Sequence, residues 1–360
     1  MREFSSRRWL ALLAGCLALG VVGCGEAEPP KKRIVILTNT DSPYWDACRQ
    51  GVQAASRELN LGAAGLLALM DVNTGADEGQ INMLRQYGTQ SDVVAVGISA
   101  YRATNSAVAD EMRKLQEKGI HVIAVDNDVD RSKFRDARFA FVGTDNLKAG
   151  RELGVAIRNL RPEGGEVVTF VGSRDAQNAT DRVHGIEEGI GEKFKLIDNM
   201  EDSVDKSRAQ ENVRDAIKNH PKLNVLAGIY SYNGPAIADI VRRMDRRKDF
   251  TVVTFDAEPQ TIRDMASGDM DCMVVQDPYK IGYDSVRLMK ALVENDTATI
   301  ESMFPNKGKE PDGDVYTTNL KVVVPNDESP LKADMFEKTT EFLTLGAFKS
   351  WLTKLGLNGS

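Results

Sequence analysis

Histidine and cysteine are scarce, with three His and four Cys in 360 residues. His121 opens an apolar run, His184 follows closely on Arg182 and His220 precedes Pro221; none has a nucleophile beside it in sequence. No C-x-x-C spacing occurs, so neither a zinc site nor a redox pair is indicated. The phosphate-loop pattern G-x-x-x-x-G-K-[ST] and the G-x-S-x-G elbow are both missing. Gly164-Gly165 precedes a strand pattern instead of following one. These absences argue against catalysis, and no cofactor or metal is expected. Asp126-Asn127-Asp128-Val129-Asp130 begins like a calcium loop, but Arg131 stands where Gly is needed and Ala137 where the closing acid belongs. Basic charge is also in short supply. Lys and Arg total 46 against 53 Asp and Glu, a formal net charge of −7, which disfavours nucleic acid as a partner. Aromatics make up 6% and apolar residues 42%, enough for ordinary cores in a chain whose length fits two domains.

The longest apolar run, Trp9–Val22, follows Arg2, Arg7 and Arg8. It is shorter than the roughly 20 apolar residues that span a bilayer and reads as the core of an export signal. It ends in Val21-Val22-Gly23-Cys24, which resembles a bacterial lipoprotein signal. Leu13-Ala14-Gly15-Cys16 fits the same pattern. Cys24 is preferred, because Leu17–Val22 is still apolar while Gly25–Lys32 is polar and contains prolines, as a tether should. Residues 1–23 are therefore expected to be a signal peptide, Cys24 the lipidated residue and 24–32 the tether. The alternative is plain secretion with cleavage nearby. Cys48 and Cys272 are read as buried thiols.

Beyond the tether, strand and helix patterns alternate. Ile34–Leu37 is followed by a helical spacing over Asp46–Leu59; Val93–Ile98 and His121–Val125 are further strands. The alternation restarts with a helix at Leu147–Leu160, and continues through a helix over Arg182–Gly189 and strands at Thr251–Phe255 and Cys272–Val275. Such alternation implies parallel sheets covered by helices, an α/β class with two doubly wound, Rossmann-like lobes. Ligands bind beyond the carboxyl ends of such strands. Thr38, Ser99, Asp126-Asn127, Asn233, Asp256 and Gln276 each follow an apolar run, and Pro43-Tyr44-Trp45 puts two aromatics after the first strand. Bidentate polar groups beside flat rings suit a sugar, which offers hydroxyls and an apolar C–H face. Core packing is the alternative for Tyr44 and Trp45, and an inter-lobe ion pair for Asp126 and Arg182.

The ordered motifs Ile34-Val35-Ile36-Leu37-Thr38, Ser42-Pro43-Tyr44-Trp45, Val122-Ile123-Ala124-Val125-Asp126, Val142-Gly143-Thr144-Asp145-Asn146, Arg182 with Gly185, Asn233, Phe255-Asp256 and Gln276-Asp277-Pro278 resemble the ribose-binding periplasmic proteins. These belong to the type I periplasmic binding fold, shared with LacI-type ligand domains. The resemblance covers nearly all of residues 33–325. It implies residues 33–144 plus 277–318 as the N-terminal lobe and 145–276 plus 319–330 as the C-terminal lobe. The chain would cross near Thr144–Asn146, Gln276–Pro278 and Tyr316–Asn319, forming a three-segment hinge. It implies that Tyr44 and Trp45 stack on a monosaccharide, ribose-like, and that Asp126, Arg182, Asn233, Asp256 and Gln276 bond its hydroxyls. Thr38, Ser42, Ser99 and Asn127 fall at further polar positions of the site. Asn127 stands where the family has Arg, Ser42 and Ser99 where it has Asn, and Val204 near an aromatic position, departures that leave room for a larger or differently substituted sugar. The implied protein is a monomer at the cell envelope that hands its sugar to the permease of an ABC importer. A sensor presenting a sugar or autoinducer to a membrane receptor would look the same in sequence. A LacI-type regulator is disfavoured, since the lobe pattern begins where a helix-turn-helix would have to stand. Residues 331–360 repeat apolar side chains at roughly helical spacing (Phe342-Leu343, Phe348, Trp351-Leu352, Leu355) and are expected to form an amphipathic helical tail.

Overall fold

The computed structural model describes residues 32–42 and 44–360; the leader, Cys16, Cys24 and the tether up to Lys31 lie outside the described residues. Two sheets organise the chain. The first lobe contains β1 (Lys32–Leu37), β2 (Leu66–Asp71), β3 (Val93–Ile98), β4 (His121–Val125), β5 (Phe141–Gly143) and β11 (Val315–Thr317), in the order β11-β5-β4-β3-β1-β2. The second contains β6 (Gly165–Val171), β7 (Phe194–Glu201), β8 (Leu223–Gly228), β9 (Thr251–Phe255), β10 (Cys272–Val275), β12 (Lys321–Val324) and β13 (Glu341–Thr344), in the order β13-β12-β10-β9-β8-β6-β7. Every pairing is parallel except that of β10 with β12. Ile34–Leu37, Val122–Val125 and Thr251–Phe255 are buried at every residue. Helices cover both faces of such strands, so apolar runs replace the in–out alternation of a half-exposed sheet.

Helices exchange partners where the chain crosses between lobes. Helix α5 (Asn146–Leu160) leaves β5 of the first lobe and packs on α6 (Gln177–Ile190) of the second; α10 (Pro278–Glu294) leaves β10 of the second and packs on α1 (Tyr44–Glu58) of the first. Asp145 and Asp277 cap the two crossing helices by accepting the backbone N–H of Lys148 and Lys280, both at 2.9 Å. Both contacts are tight enough to need glycine. A Cβ on Gly150 would run into the backbone of Arg182, and one on Gly51 into the backbone of Tyr279. The crossings are also tied together. Thr144 Oγ1 donates to Gln276 Oε1 at 2.7 Å, and Thr318 N–H donates to the Gly143 carbonyl at 2.9 Å.

The tail differs from the expected continuous helical pattern. Phe342 and Leu343 lie in strand β13, which pairs along the free edge of β12; Leu345–Lys354 is α-helical (α12), and Ala333–Met335 forms a single 3-10 turn. Thr344 ends the strand and caps α12 through its hydroxyl, which accepts Ala347 N–H at 3.3 Å. An unpaired edge offers Phe342 and Leu343 backbone partners that an isolated helix cannot match. Cys48 and Cys272 are buried and unpaired.

Candidate functional site

Strand β4 ends at Val125 and β9 at Phe255. The next residue in each case is an aspartate in left-handed backbone, Asp126 at φ 64° and Asp256 at φ 62°. Asp tolerates this region better than most residues. Both carboxylates line one cleft between the lobes, of about 600 Å³ with its open mouth included, at the strand ends where α/β sheets bind ligands.

Arg182, on α6, also lines this cleft and is 1% exposed. Its Nε donates to Asn146 Oδ1 and its Nη1 to the Ile229 carbonyl, both at 2.9 Å. Its Nη2 is buried and has no partner among the described residues. The guanidinium lies 4.6 Å from the centroid of the Phe255 ring, a cation–π contact that holds its plane. Burial pushes the Asp126 carboxyl up, opposed by the Tyr44 hydroxyl donating at 2.7 Å, by the charge of Arg182 and by the Ser99 hydroxyl at 3.3 Å. Burial raises Asp256 to about 6, against the pull of Arg182 and of Gln276 Nε2, which donates at 2.9 Å. The cleft thus holds a guanidinium with a free N–H and two carboxylates with free acceptor capacity. Leaving such groups unpaired costs about 1–3 kcal/mol each, more when they are charged.

Aromatic rings close the cleft from both sides. Tyr44 and Trp45 meet edge to face at 5.2 Å, and Tyr230 and Tyr232 at 6.4 Å; all four line it.

Of the residues singled out in the sequence, Ser42, Tyr44, Trp45, Asp126, Arg182, Asp256 and Gln276 line the cleft. Thr38, Ser99, Asn127 and Asn233 lie outside this lining. All four are fully buried and bond to the protein instead. Thr38 donates its hydroxyl to the Thr40 carbonyl at 2.9 Å and accepts Asn73 N–H at 3.1 Å. Ser99 supports Asp126. Asn127 donates to the Ala100 carbonyl, while its Oδ1 accepts Asn178 N–H across the lobe boundary at 3.1 Å. Asn233 donates to Asp202 at 2.8 Å and accepts Tyr230 N–H at 2.9 Å. A strand-end polar side chain has backbone groups within reach, and here those groups win over the ligand space.

Sequence reasoning missed Asn39, Thr40, Tyr101, Ser173, Asn178, Tyr230, Ser231 and Tyr232, which also line the cleft. The Tyr230-Ser231-Tyr232 cluster was within reach of the rule that found Tyr44 and Trp45, aromatics just beyond a strand. Asn178 was not, because α6 starts at Gln177, ahead of the helix expected from Arg182. Val204 lines the cleft at φ 65°, an uncommon conformation for a β-branched residue. Its N–H donates to Asp202 at 2.9 Å. Burial raises Asp202 to about 6, opposed by donors from Tyr232 and Asn233.

The curated relatives include the D-allose-binding periplasmic protein of Escherichia coli (strain K12). It is 22% identical over 289 residues, 78% of this chain and 90% of that protein. The D-ribose/D-allose-binding protein of Pseudomonas aeruginosa is 26% identical over 269 residues, 71% of this chain and 81% of that protein. Among solved structures, GanP, a glucose-galactose binding protein from Geobacillus stearothermophilus, superposes with a TM-score of 0.70 at 24% identity, over 83% of this chain and 99% of that one. This likeness supports the fold of two parallel-sheet lobes. Residues 34–297 match the periplasmic binding protein domain, and the chain belongs to that family.

Proposed function

We propose that the protein is an exported, lipid-anchored solute-binding protein. It captures a monosaccharide, a ribose-like pentose in the first instance, and delivers it to an ABC-type importer. The observation that carries this reading is the unpartnered, buried Nη2 of Arg182 in one cleft with Asp126 and Asp256. A sugar hydroxyl donates to a carboxylate while its oxygen accepts from the guanidinium, so a ring bearing adjacent hydroxyls satisfies all three groups at once. Tyr44, Trp45, Tyr230 and Tyr232 supply flat apolar faces for the C–H side of such a ring. The curated relatives named for allose and ribose support the same ligand class. Val204 lines the cleft in place of an aromatic ring, so hexoses belong in the test beside pentoses.

In this reading the sugar first occupies one open lobe. The other then swings about the three crossings to complete the hydrogen bonds and expel water. Gln276 bridges Asp256 to Thr144 at the first crossing, so a ligand bonded to Asp256 pulls directly on the hinge. The liganded shape is what the permease would recognise, and lipid on Cys24 would keep the protein at the membrane through its tether.

A thermal-shift screen against pentoses, hexoses and amino acids tests the proposal. A ligand binding only the folded state adds about 2.7 kcal/mol of stability at a hundredfold excess over its dissociation constant. A shift with ribose or a related monosaccharide that Arg182→Met abolishes is the expected result. A shift with amino acids and none with sugars would overturn it.

A further inference from the structure

Residues 356–360 leave α12 and run back along the loop that carries Asp256. Ala257 N–H donates to the Ser360 carbonyl at 2.7 Å, and Ser360 N–H donates to the Ala257 carbonyl at 3.0 Å. This two-bond pairing grips the residue that directly follows Asp256. Gly359 sits so near the same loop that a Cβ would stand 2.6 Å from the Ala257 carbonyl oxygen and 2.9 Å from Pro259 Cδ. Leu357 is buried in the apolar cluster of Phe348 and Leu352, and that cluster includes Ala47 of α1, from the other lobe. A second cavity, of about 640 Å³ with its open mouth included, lies between the same two surfaces. Tyr44, Asp46 and Gln50 line it from the first lobe, and Glu258, Asn358 and Ser360 from the second. Glu258 in turn accepts the hydroxyl of the cleft-lining Ser231 at 2.8 Å. The segment lies outside residues 34–297, the part matched to the family.

We propose that Leu355–Ser360 is a positioning strap for the binding cleft: it fixes the Asp256 loop in the second lobe and reaches α1 of the first when the lobes meet. Asp256 holds a left-handed backbone conformation, and the strap pairs with the very next residue, Ala257, in both hydrogen-bond directions. Contact with α1 just beyond Tyr44 and Trp45 exists only while the lobes are together. The strap therefore stabilises the liganded arrangement and slows release of the ligand. Only the choice of ligand rests on the sugar reading above; the placement of the strap does not.

The test uses Gly359→Ala, whose new methyl lifts the strap from the loop, and a deletion of residues 356–360. Gly346→Ala is the control, since a Cβ there meets nothing closer than Thr344 Oγ1 at 3.9 Å. With D-ribose and D-allose as probes, Gly359→Ala is expected to speed dissociation about tenfold with little change in association, as is usual for interface changes. Wild-type dissociation rates in both folded variants would overturn the proposal; if the deletion does not fold, Gly359→Ala decides alone. If neither sugar binds the wild-type protein, the sugar reading fails separately. The strap is then judged by hydrogen exchange at the Ala257 and Ser360 amides, which pair within the second lobe, in the ligand-free protein. Protection that Gly359→Ala suppresses supports the strap, and unprotected amides in the wild type overturn it.

Discussion

Each lobe ends its fourth strand in an aspartate with left-handed backbone, and each brings an edge-to-face aromatic pair to the cleft. The slots repeat, but their contents do not. The helix after the first strand carries Tyr44 and Trp45 in the first lobe, α1, and Arg182 in the second, α6. The second lobe draws its aromatics from the loop after its third strand, β8. The two aspartates also differ. Asp126 already accepts two hydroxyls, from Tyr44 and Ser99, whereas among the described side chains only Gln276 donates to Asp256. The first lobe thus offers a flat apolar wall with a carboxylate partly satisfied by its own side chains. The second offers the cation and the more open carboxylate. One backbone plan, used twice, brings a carboxylate and an aromatic pair from each lobe to the cleft, and the sequence then adds the guanidinium of Arg182 on the second lobe's side.

Exchanging each aspartate for asparagine is the strongest way to break this comparison. Asn is compatible with the same left-handed backbone, so the change is mainly one of charge and hydrogen bonding. Asp256→Asn should lose about 1.5–3 kcal/mol of sugar affinity, the range for hydrogen bonds to a charged group, with little loss of ligand-free stability. Asp126→Asn should lose both affinity and stability, because its amide N–H would face the donors that now serve the carboxylate. Calorimetric titration beside thermal denaturation separates the two. Equal stability losses would mean that the lobes do not differ in this way.

A smaller effect is expected from the two glycine contacts. Gly150→Ala and Gly51→Ala each force a methyl against a helix backbone and should each lose about 1–3 kcal/mol of stability. The obstacle at Gly150 is Arg182 itself, whose guanidinium needs its present aim to reach the cleft. Sugar affinity of the folded protein should therefore fall further for Gly150→Ala than for Gly51→Ala. The opposite ranking would show that the position of α1, not that of α6, controls the site.

The two lobes were legible in sequence to different depths. In the first lobe β1, β3 and β4 read cleanly because they are unbroken apolar runs, and its aromatics lie directly beyond β1. In the second lobe α6 begins with Gln177, Asn178 and Thr180, polar residues without helical apolar spacing, so the helix was expected too late and Asn178 was overlooked. Strands β5 and β11 have three residues each, too few for a period to register. Polarity after a strand located the right loops. It did not separate Asp126, which faces the cleft, from Asn127, which bonds to Ala100 and Asn178, because that choice depends on which backbone groups lie across the fold. The tail misled for a related reason: the pairing of Phe342 and Leu343 is set by the free edge of β12, which local spacing does not reveal.

The smallest predicted effect concerns pH, and it again divides the lobes. Asp256 stands at about 6 and Asp126 is raised, both by burial first, while an unfolded Asp titrates near about 3.9. In the ligand-free folded protein these groups hold protons that the unfolded chain has already released. The Asp256 contribution to stability is therefore fully present below about pH 4 and is lost as pH rises through 6, and that of Asp126 is lost in the same direction. A sugar reverses the preference, since hydroxyls donating to the carboxylates favour the ionised form. Binding should then release protons between about pH 4 and 6, and affinity should rise with pH by at most about tenfold per unit for each proton released. Titration in buffers of different ionisation enthalpy at about pH 5 measures that release directly. Asp256→Asn should remove most of it, because the second lobe's carboxylate is the one left open for the ligand. Proton release that survives in this variant and disappears in Asp126→Asn would place the dominant sugar–carboxylate bond in the first lobe instead.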